Sequence, residues 1–414
     1  MKNIFKKLGP GLITGASDDD PSGILVYLQA GVILGFKTLW TALFTIPLMY
    51  AVQEMCGRIG LVTGKGLMRL IKENYPRTVL YFIAAISIGV IVVNIGADLL
   101  AVGAILEHLT RISRLVWLPL AAAVILVLTV FLSYHRFVQL MKWLLLSLVF
   151  YVVAVVYIGA DWSAALRATF LPSLTWSKES ALYIAAILGA TISPYLFFWQ
   201  ANEEIEEEKE VMAEKHLQQF TVTKHELKLL KEDTFVGMLS SNVITWFIIV
   251  GGSQLALFYG VREISSFDQA AEVLQPVLGN FAYLVFALGL IGTGFLAIPI
   301  LAGSVGYGLA EIFNWQEGIN LPFRKARGFY LAIIAATISG MLITLAGIDP
   351  IKLLIYTAVL YTIITPPLIW IILRLSNNPN IMGASRNGLL SNFLGYLTLG
   401  VTTLAAAAYL ISLL

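Results

Sequence analysis

Eleven times along this chain, roughly 20 consecutive residues pass with almost no charge. The runs lie near 10–35, 38–60, 79–107, 115–134, 138–159, 180–201, 235–259, 281–312, 328–347, 351–374 and 391–413. A run of about 20 residues crosses the hydrocarbon of a bilayer as an α-helix. Helices satisfy their own backbone in lipid, where irregular chain does not. The expected fold is therefore an all-α polytopic membrane protein with 11 transmembrane helices. Composition agrees, since 58% of the 414 residues are hydrophobic, only 13% are charged and the mean hydropathy is +0.82. A soluble chain of this length needs far more polar surface.

The same composition removes several function classes. A net charge of +2 with no basic cluster points away from nucleic acid. The single cysteine, Cys56, makes neither an intrachain disulfide nor a zinc site and reads as a small buried apolar side chain. No Walker loop or other enzyme motif is present. The start, MKNIFKKLGPGLITGASDDD, has the basic head of a signal peptide, but Gly9-Pro10-Gly11 interrupts its apolar part, which then runs into acids. It reads as a retained first membrane segment.

Orientation follows from the basic residues. With the N-terminus inside, the inner connections and span ends hold 20 of the 27 Lys and Arg, leaving 7 outside. Positive charge is retained on the cytoplasmic side, so the expectation is a multi-pass plasma-membrane protein with a cytoplasmic N-terminus and an extracytoplasmic C-terminus. The one sizeable polar insertion, 201–234, then lies in the cytoplasm. It reads as a solvated extension of the sixth span plus a short surface helix. The rest is a single transporter domain, with inverted repeats over about 1–160 and 175–375 and an extra helix at 391–413. The sequence is compatible with a monomer in the lipid bilayer.

Two spans are interrupted at matching places. The first carries DDDPSG, residues 18–23, and the sixth carries GATISPY, residues 189–195. Proline lacks an N–H and clashes with the preceding turn. Irregular backbone at membrane depth survives only where it is buried in protein or lines a cavity. Pro21 and Pro194 fall in the first spans of two successive sets of five. Five is odd, so the second set is inserted upside down relative to the first. Paired interruptions in two inverted halves point to a transporter's midplane binding site.

Asp20 stands immediately before the first break, and an intramembrane acid costs about 3 kcal/mol on insertion scales. Carbonyls near Asp20 and Ala190 and the Ser193 hydroxyl add further oxygens. All-oxygen ligation suits hard ions such as Mg2+, Ca2+ or Mn2+. The helix N-termini at Gly23 and Tyr195 instead suit a substrate carboxylate, which three neighbouring aspartates oppose.

The stretch GPGLITGASDDDPSGILVYLQAG resembles the first helix of the NRAMP divalent-metal transporters, and GATISPYLFFWQ resembles their sixth. The resemblance implies the LeuT-like five-plus-five inverted fold with discontinuous helices 1 and 6, alternating access, and a metal bound between those helices. By position it implies Asp20 as the metal-binding aspartate and Ala190 as the carbonyl donor. The family's asparagine falls on Gly23 and its methionine on Ser193, so two side-chain ligands are replaced. Losing the thioether moves Mg2+ up relative to Mn2+. The NRAMP-related magnesium transporters lack that methionine too. The family histidine falls on Tyr195, and His108, His135, His216 and His225 all lie at span ends or in the insertion, so proton coupling is in doubt.

Other polar residues are weighed individually. Successive helical residues point about 100° apart, so Asp18, Asp19 and Asp20 cannot share one face, and either extra acid can join the cavity or pair elsewhere. Asp98 lies deep in the third span, one turn after Asn94, and both are relay candidates. Thr362 and Thr365 precede a proline pair in the tenth span, with Thr362 a further cavity candidate. Asn242 reads as a packing residue. Glu54, Glu203, Glu204 and Glu311 lie toward span ends and read mostly as interfacial, with Glu203 and Glu204 candidates to line the inner exit of the sixth span. The function expected is a secondary transporter moving Mg2+ or Mn2+ by alternating access, with no cofactor beyond its metal substrate. The alternatives are a Na+- or H+-coupled amino acid or amine carrier of the same fold and, more remotely, an intramembrane aspartyl protease using Asp20 and Asp98.

Overall fold

The computed structural model describes residues 10–131, 149, 152–173, 175–214 and 222–414. The first half holds α1 (Pro10–Asp18), α2 (Pro21–Leu34), α3 (Leu39–Thr63), α4 (Leu67–Asn74), α5 (Arg77–Thr110) and α6 (Arg114–Phe131). After α7 (Trp162–Phe170), the second half holds α8 (Lys178–Thr191), α9 (Pro194–Glu214), α10 (Lys224–Tyr259), α11 (Ala282–Phe313), α12 (Arg327–Ile343) and α13 (Pro350–Asn377). The chain ends with α14 (Leu389–Ser412). All the longer elements among the described residues are helical.

Both breaks fall where the sequence places them: α1 stops at Asp18 and α2 starts at Pro21, while α8 stops at Thr191 and α9 starts at Pro194. Nine helical stretches among the described residues are long and apolar enough to cross a membrane, one of which, Pro21–Thr63, joins the end of the first expected span to the second. Most of the expected fifth span, 138–159, lies outside the described residues, as do His135 and His216.

The packing is reciprocal. Both α1 and α2 lie against α10, and α9 lies against α3. Each broken helix thus rests on the second helix of the opposite half. Small residues let the backbones meet. A Cβ on Gly15 would stand 2.3 Å from the Gly237 carbonyl of α10, and one on Gly60 of α3 only 2.0 Å from the Ala201 carbonyl of α9.

Three readings change. Residues 224–234 form no separate surface helix, because α10 begins at a Thr223–Glu226 capping box and runs straight into the seventh span. Glu54 is buried, not interfacial, and pairs with Arg58 at 2.8 Å. Arg58 in turn donates to Asn387 at 2.6 Å and to the Ser385 carbonyl, tying α3 to the connection before α14. Glu311 is buried as well and accepts from the Arg69 N–H at 2.9 Å, which caps the first turn of α4 from α11.

A candidate cation site at two helix breaks

Asp20 is the N-cap of α2. Its Oδ1 accepts from the Gly23 N–H at 2.7 Å, and Pro21 occupies the first helical position, where its missing N–H costs nothing. Its Oδ2 accepts from Asn94 Nδ2 on α5 at 3.1 Å. Asn94 Oδ1 accepts from Ser22 Oγ at 2.8 Å, and the same hydroxyl stands 3.2 Å from Asp98 Oδ1. The other Asp98 oxygen is buried and has no hydrogen-bond partner. Asp20, Ser22, Asn94 and Asp98 therefore make one buried, oxygen-rich chain between α2 and α5. Among the described residues no Lys or Arg pairs with either acid.

The second break is neutral. Ser193 Oγ lies 2.9 Å from both the Gly189 and the Ala190 carbonyls, so the hydroxyl serves the two oxygens that the end of α8 leaves free. Thr365 Oγ1 stands 3.3 Å from the Ile192 carbonyl. Thr362, taken from the sequence as a further cavity residue, gives its proton to the Ala185 carbonyl on α8 instead. Tyr195 links the breaks, since its hydroxyl donates to the Ser17 carbonyl of α1 at 2.8 Å. Its ring lies 5.9 Å from that of Tyr361, whose buried hydroxyl stands beside Asn94 without hydrogen-bond geometry.

Direct contacts bring Asp20, Asn94 and Asp98 together. Ala190 and Ser193 belong to the second break, which Tyr195 ties to the Ser17 carbonyl of α1. The Asp20 carbonyl is not free, because it accepts from the Ile24 N–H at 3.0 Å. Asp18 and Asp19 turn away from α5 toward α10, where Ser241 Oγ stands 3.0 and 3.3 Å from their carboxylates. The Gly23 N–H is already taken by Asp20, which argues against an amino acid carboxylate at that helix N-terminus. Sequence reasoning missed Ser22 and Ser241. The signal for Ser241 was the polar trio Ser240-Ser241-Asn242 inside an apolar run, of which only Asn242 stood out. Asn242 itself accepts from Thr45 at 2.7 Å and donates to the Met238 carbonyl, as a packing residue should.

Among the described residues no three His, Cys, Asp or Glu side chains converge as a metal-binding group. The arrangement at the breaks is the Asp20 carboxylate among neutral oxygens, with a second carboxylate, Asp98, reached through Ser22 and Asn94.

A family model described as natural resistance-associated macrophage protein-like matches residues 11–412. The chain belongs to the Nramp family. Relatives extend over nearly the same length. A divalent metal cation transporter MntH from Caldanaerobacter subterraneus is 24% identical over 410 residues, covering 96% of this chain and 90% of the relative. The MntH of Pectobacterium carotovorum is 23% identical over 92% of this chain and 88% of its own length. The fold agrees with that of the Eremococcus coleocola manganese transporter, solved with an aromatic bis-isothiourea compound, at a TM-score of 0.74 and 15% identity over 98% of this chain and 87% of that one. The nucleobase-cation-symport-1 family transporter Mhp1, in a closed conformation, matches at 0.61 with 13% identity over 98% of this chain and 90% of that one. This Nramp chain therefore has the LeuT-like architecture that its two broken helices announce, and its family members are transporters and not enzymes.

Proposed function

We propose that this Nramp protein is a secondary transporter that carries a divalent metal cation across the membrane by alternating access, with the metal held between the two breaks. The observation that carries this reading is Asp20, a buried carboxylate at the restart of a broken helix with no basic residue paired to it. An ion pair would have marked it as structural. A buried acid set among oxygens and without a basic partner among the described residues is a place for a cation.

The roles then divide by chemistry. Asp20 supplies the charge, and Asn94 and the Gly23 N–H hold its carboxylate in place. The Ala190 carbonyl and the Ser193 hydroxyl face the metal from the second break. Ser193 stops donating to Ala190 when the cation takes that carbonyl. Gly23 itself brings no donor beyond its N–H. With no sulfur in this set, hard Mg2+ gains on Mn2+ relative to a site that carries a thioether, although the similar Eremococcus coleocola structure is that of a manganese transporter. Asp98, Ser22, Asn94 and Tyr361 form the adjoining polar path. The halves 1–160 and 175–375 act as the two inverted repeats, with the N-terminus and the 201–234 connection on the cytoplasmic side.

Flux into proteoliposomes tests the reading. With Mg2+ or Mn2+ outside and internal pH followed at the same time, Asp20→Ala should reduce uptake to the level of protein-free vesicles. Uptake unchanged by that substitution would sink the site, and acidification of the lumen in step with metal entry would restore proton coupling.

A further inference from the structure

Asp18 and Asp19 are buried to 1% exposure on the opposite side of the break from Asn94, and they have their own polar surroundings. One hydroxyl, Ser241 Oγ, stands 3.0 Å from Asp18 Oδ2 and 3.3 Å from Asp19 Oδ1. A hydroxyl has one proton, so it donates to one of these carboxylates at a time and leaves its oxygen facing the other. The second Asp18 oxygen, Oδ1, is buried with no partner among the described residues.

Two further hydroxyls complete the surroundings. Thr245 lies one turn beyond Ser241 on the same face of α10, fully buried, with Oγ1 unpartnered. The fully buried Tyr27 hydroxyl also lacks a partner. It faces Thr245 without hydrogen-bond geometry and lies within electrostatic reach of Asp18 and Asp19 and, more weakly, of Asp20. The tyrosine ring lies over Gly23, where an added Cβ would meet Tyr27 Cε2 and the Asp18 carbonyl at 3.2 Å each. Among the described residues neither acid has a Lys, Arg or His within ion-pair distance.

We propose that Asp18, Asp19, Ser241, Thr245 and Tyr27 form a second cation site between α1 and α10, separate from the Asp20 site and specific for a hard ion. The donors are oxygens only, two of them charged, which suits Mg2+, Mn2+ or Na+ and gives nothing to a soft metal. A cation there removes the conflict at Ser241, since the hydroxyl oxygen and both carboxylates then point their lone pairs at one positive charge. It also provides a partner for three buried oxygens that have none. The site lies on the α1 side of the break, so its occupant bears on the docking of α1 against α10.

The test counts cations on the purified full-length chain near neutral pH. Bound Mn2+ is measured by equilibrium dialysis in Na+-free buffer, and bound Na+ by dialysis with radioactive sodium at saturating Mn2+. Wild type should hold two cations, either two Mn2+ or one Mn2+ and one Na+. The Asp18→Asn/Asp19→Asn double variant should lose one, while Asp20→Ala should lose the other. The Ser241→Ala/Thr245→Val variant keeps both charges and should weaken the second cation about tenfold, which serves if the acid variant fails to fold. A single cation per wild-type chain with both probes overturns the proposal, because the acids are then balanced by protons. A second cation that survives the double acid variant overturns it too. If Asp20→Ala keeps both cations, the second site stands and it is the Asp20 reading that fails.

Discussion

The two helix breaks share one backbone device and satisfy it in opposite ways. At the first, the restarting helix exposes N–H groups and Asp20 caps them from its own N-cap position. At the second, the ending helix exposes carbonyls and the Ser193 hydroxyl serves two of them. One break therefore concentrates negative charge and the other concentrates neutral dipoles. A cation needs both, since a single carboxylate supplies the attraction and carbonyls complete the shell with little added charge. A second acidic break would hold a divalent ion more tightly, because affinity rises with the number of charged ligands.

Three substitutions sharpen that contrast once the loss expected for Asp20→Ala is established. Ser22→Ala removes the hydroxyl that both Asn94 and Asp98 use in the acidic break. Losing a buried donor costs about 1–3 kcal/mol, so metal affinity measured by calorimetry should fall roughly tenfold. An unchanged affinity would detach Asp98 and Asn94 from the site. In the neutral break, Ser193→Met exchanges a hydroxyl for a thioether. The ratio of Mn2+ to Mg2+ transport should rise several-fold with Asp20 untouched, and a fixed ratio would place Ser193 away from the metal.

The smallest effect is a control outside both breaks. Glu317 follows α11, and burial together with the neighbouring Glu311 charge pushes its pKa from 4.5 to about 8. A carboxylate that prefers its proton in the folded state loses stability as pH rises from the unfolded value through the folded one. Melting temperature should therefore decline between about pH 5 and pH 8. Glu317→Gln should flatten that slope without touching metal selectivity, and an identical slope in the variant would remove Glu317 as its cause.

Proline alone did not reveal the breaks. Pro47, Pro119, Pro299 and the pair Pro366-Pro367 all sit inside continuous helices. The residue before the proline separates most of the cases. Apolar Ile46, Leu118 and Ile298 precede prolines that stay inside continuous helices. Thr365, the polar exception, gives its hydroxyl proton to the Tyr361 carbonyl of its own helix. Asp20 and Ser193 precede the two that open a membrane helix, and Asp349 precedes the one that starts α13. A short polar side chain before proline can cap the freed N–H groups or carbonyls, so restarting the helix becomes affordable in lipid. That local rule was legible in the sequence, and so were the spans that the breaks interrupt.

What the sequence determined by itself was the set of elements: long apolar helices, two of them cut at Asp20-Pro21 and Ser193-Pro194, with an acid at one cut. Those follow from chain-local physics, the need of each segment to satisfy its own backbone and to match the bilayer. Which polar groups meet was decided only by tertiary structure. Ser22 reaches α5, Asp18 and Asp19 share Ser241 on α10, and Thr362 turns to α8. Each of those partners is set by how close two helices approach and at what rotation. That depends on contacts such as Gly15 against Gly237, between residues 222 positions apart in the chain, where no local pattern records the pairing.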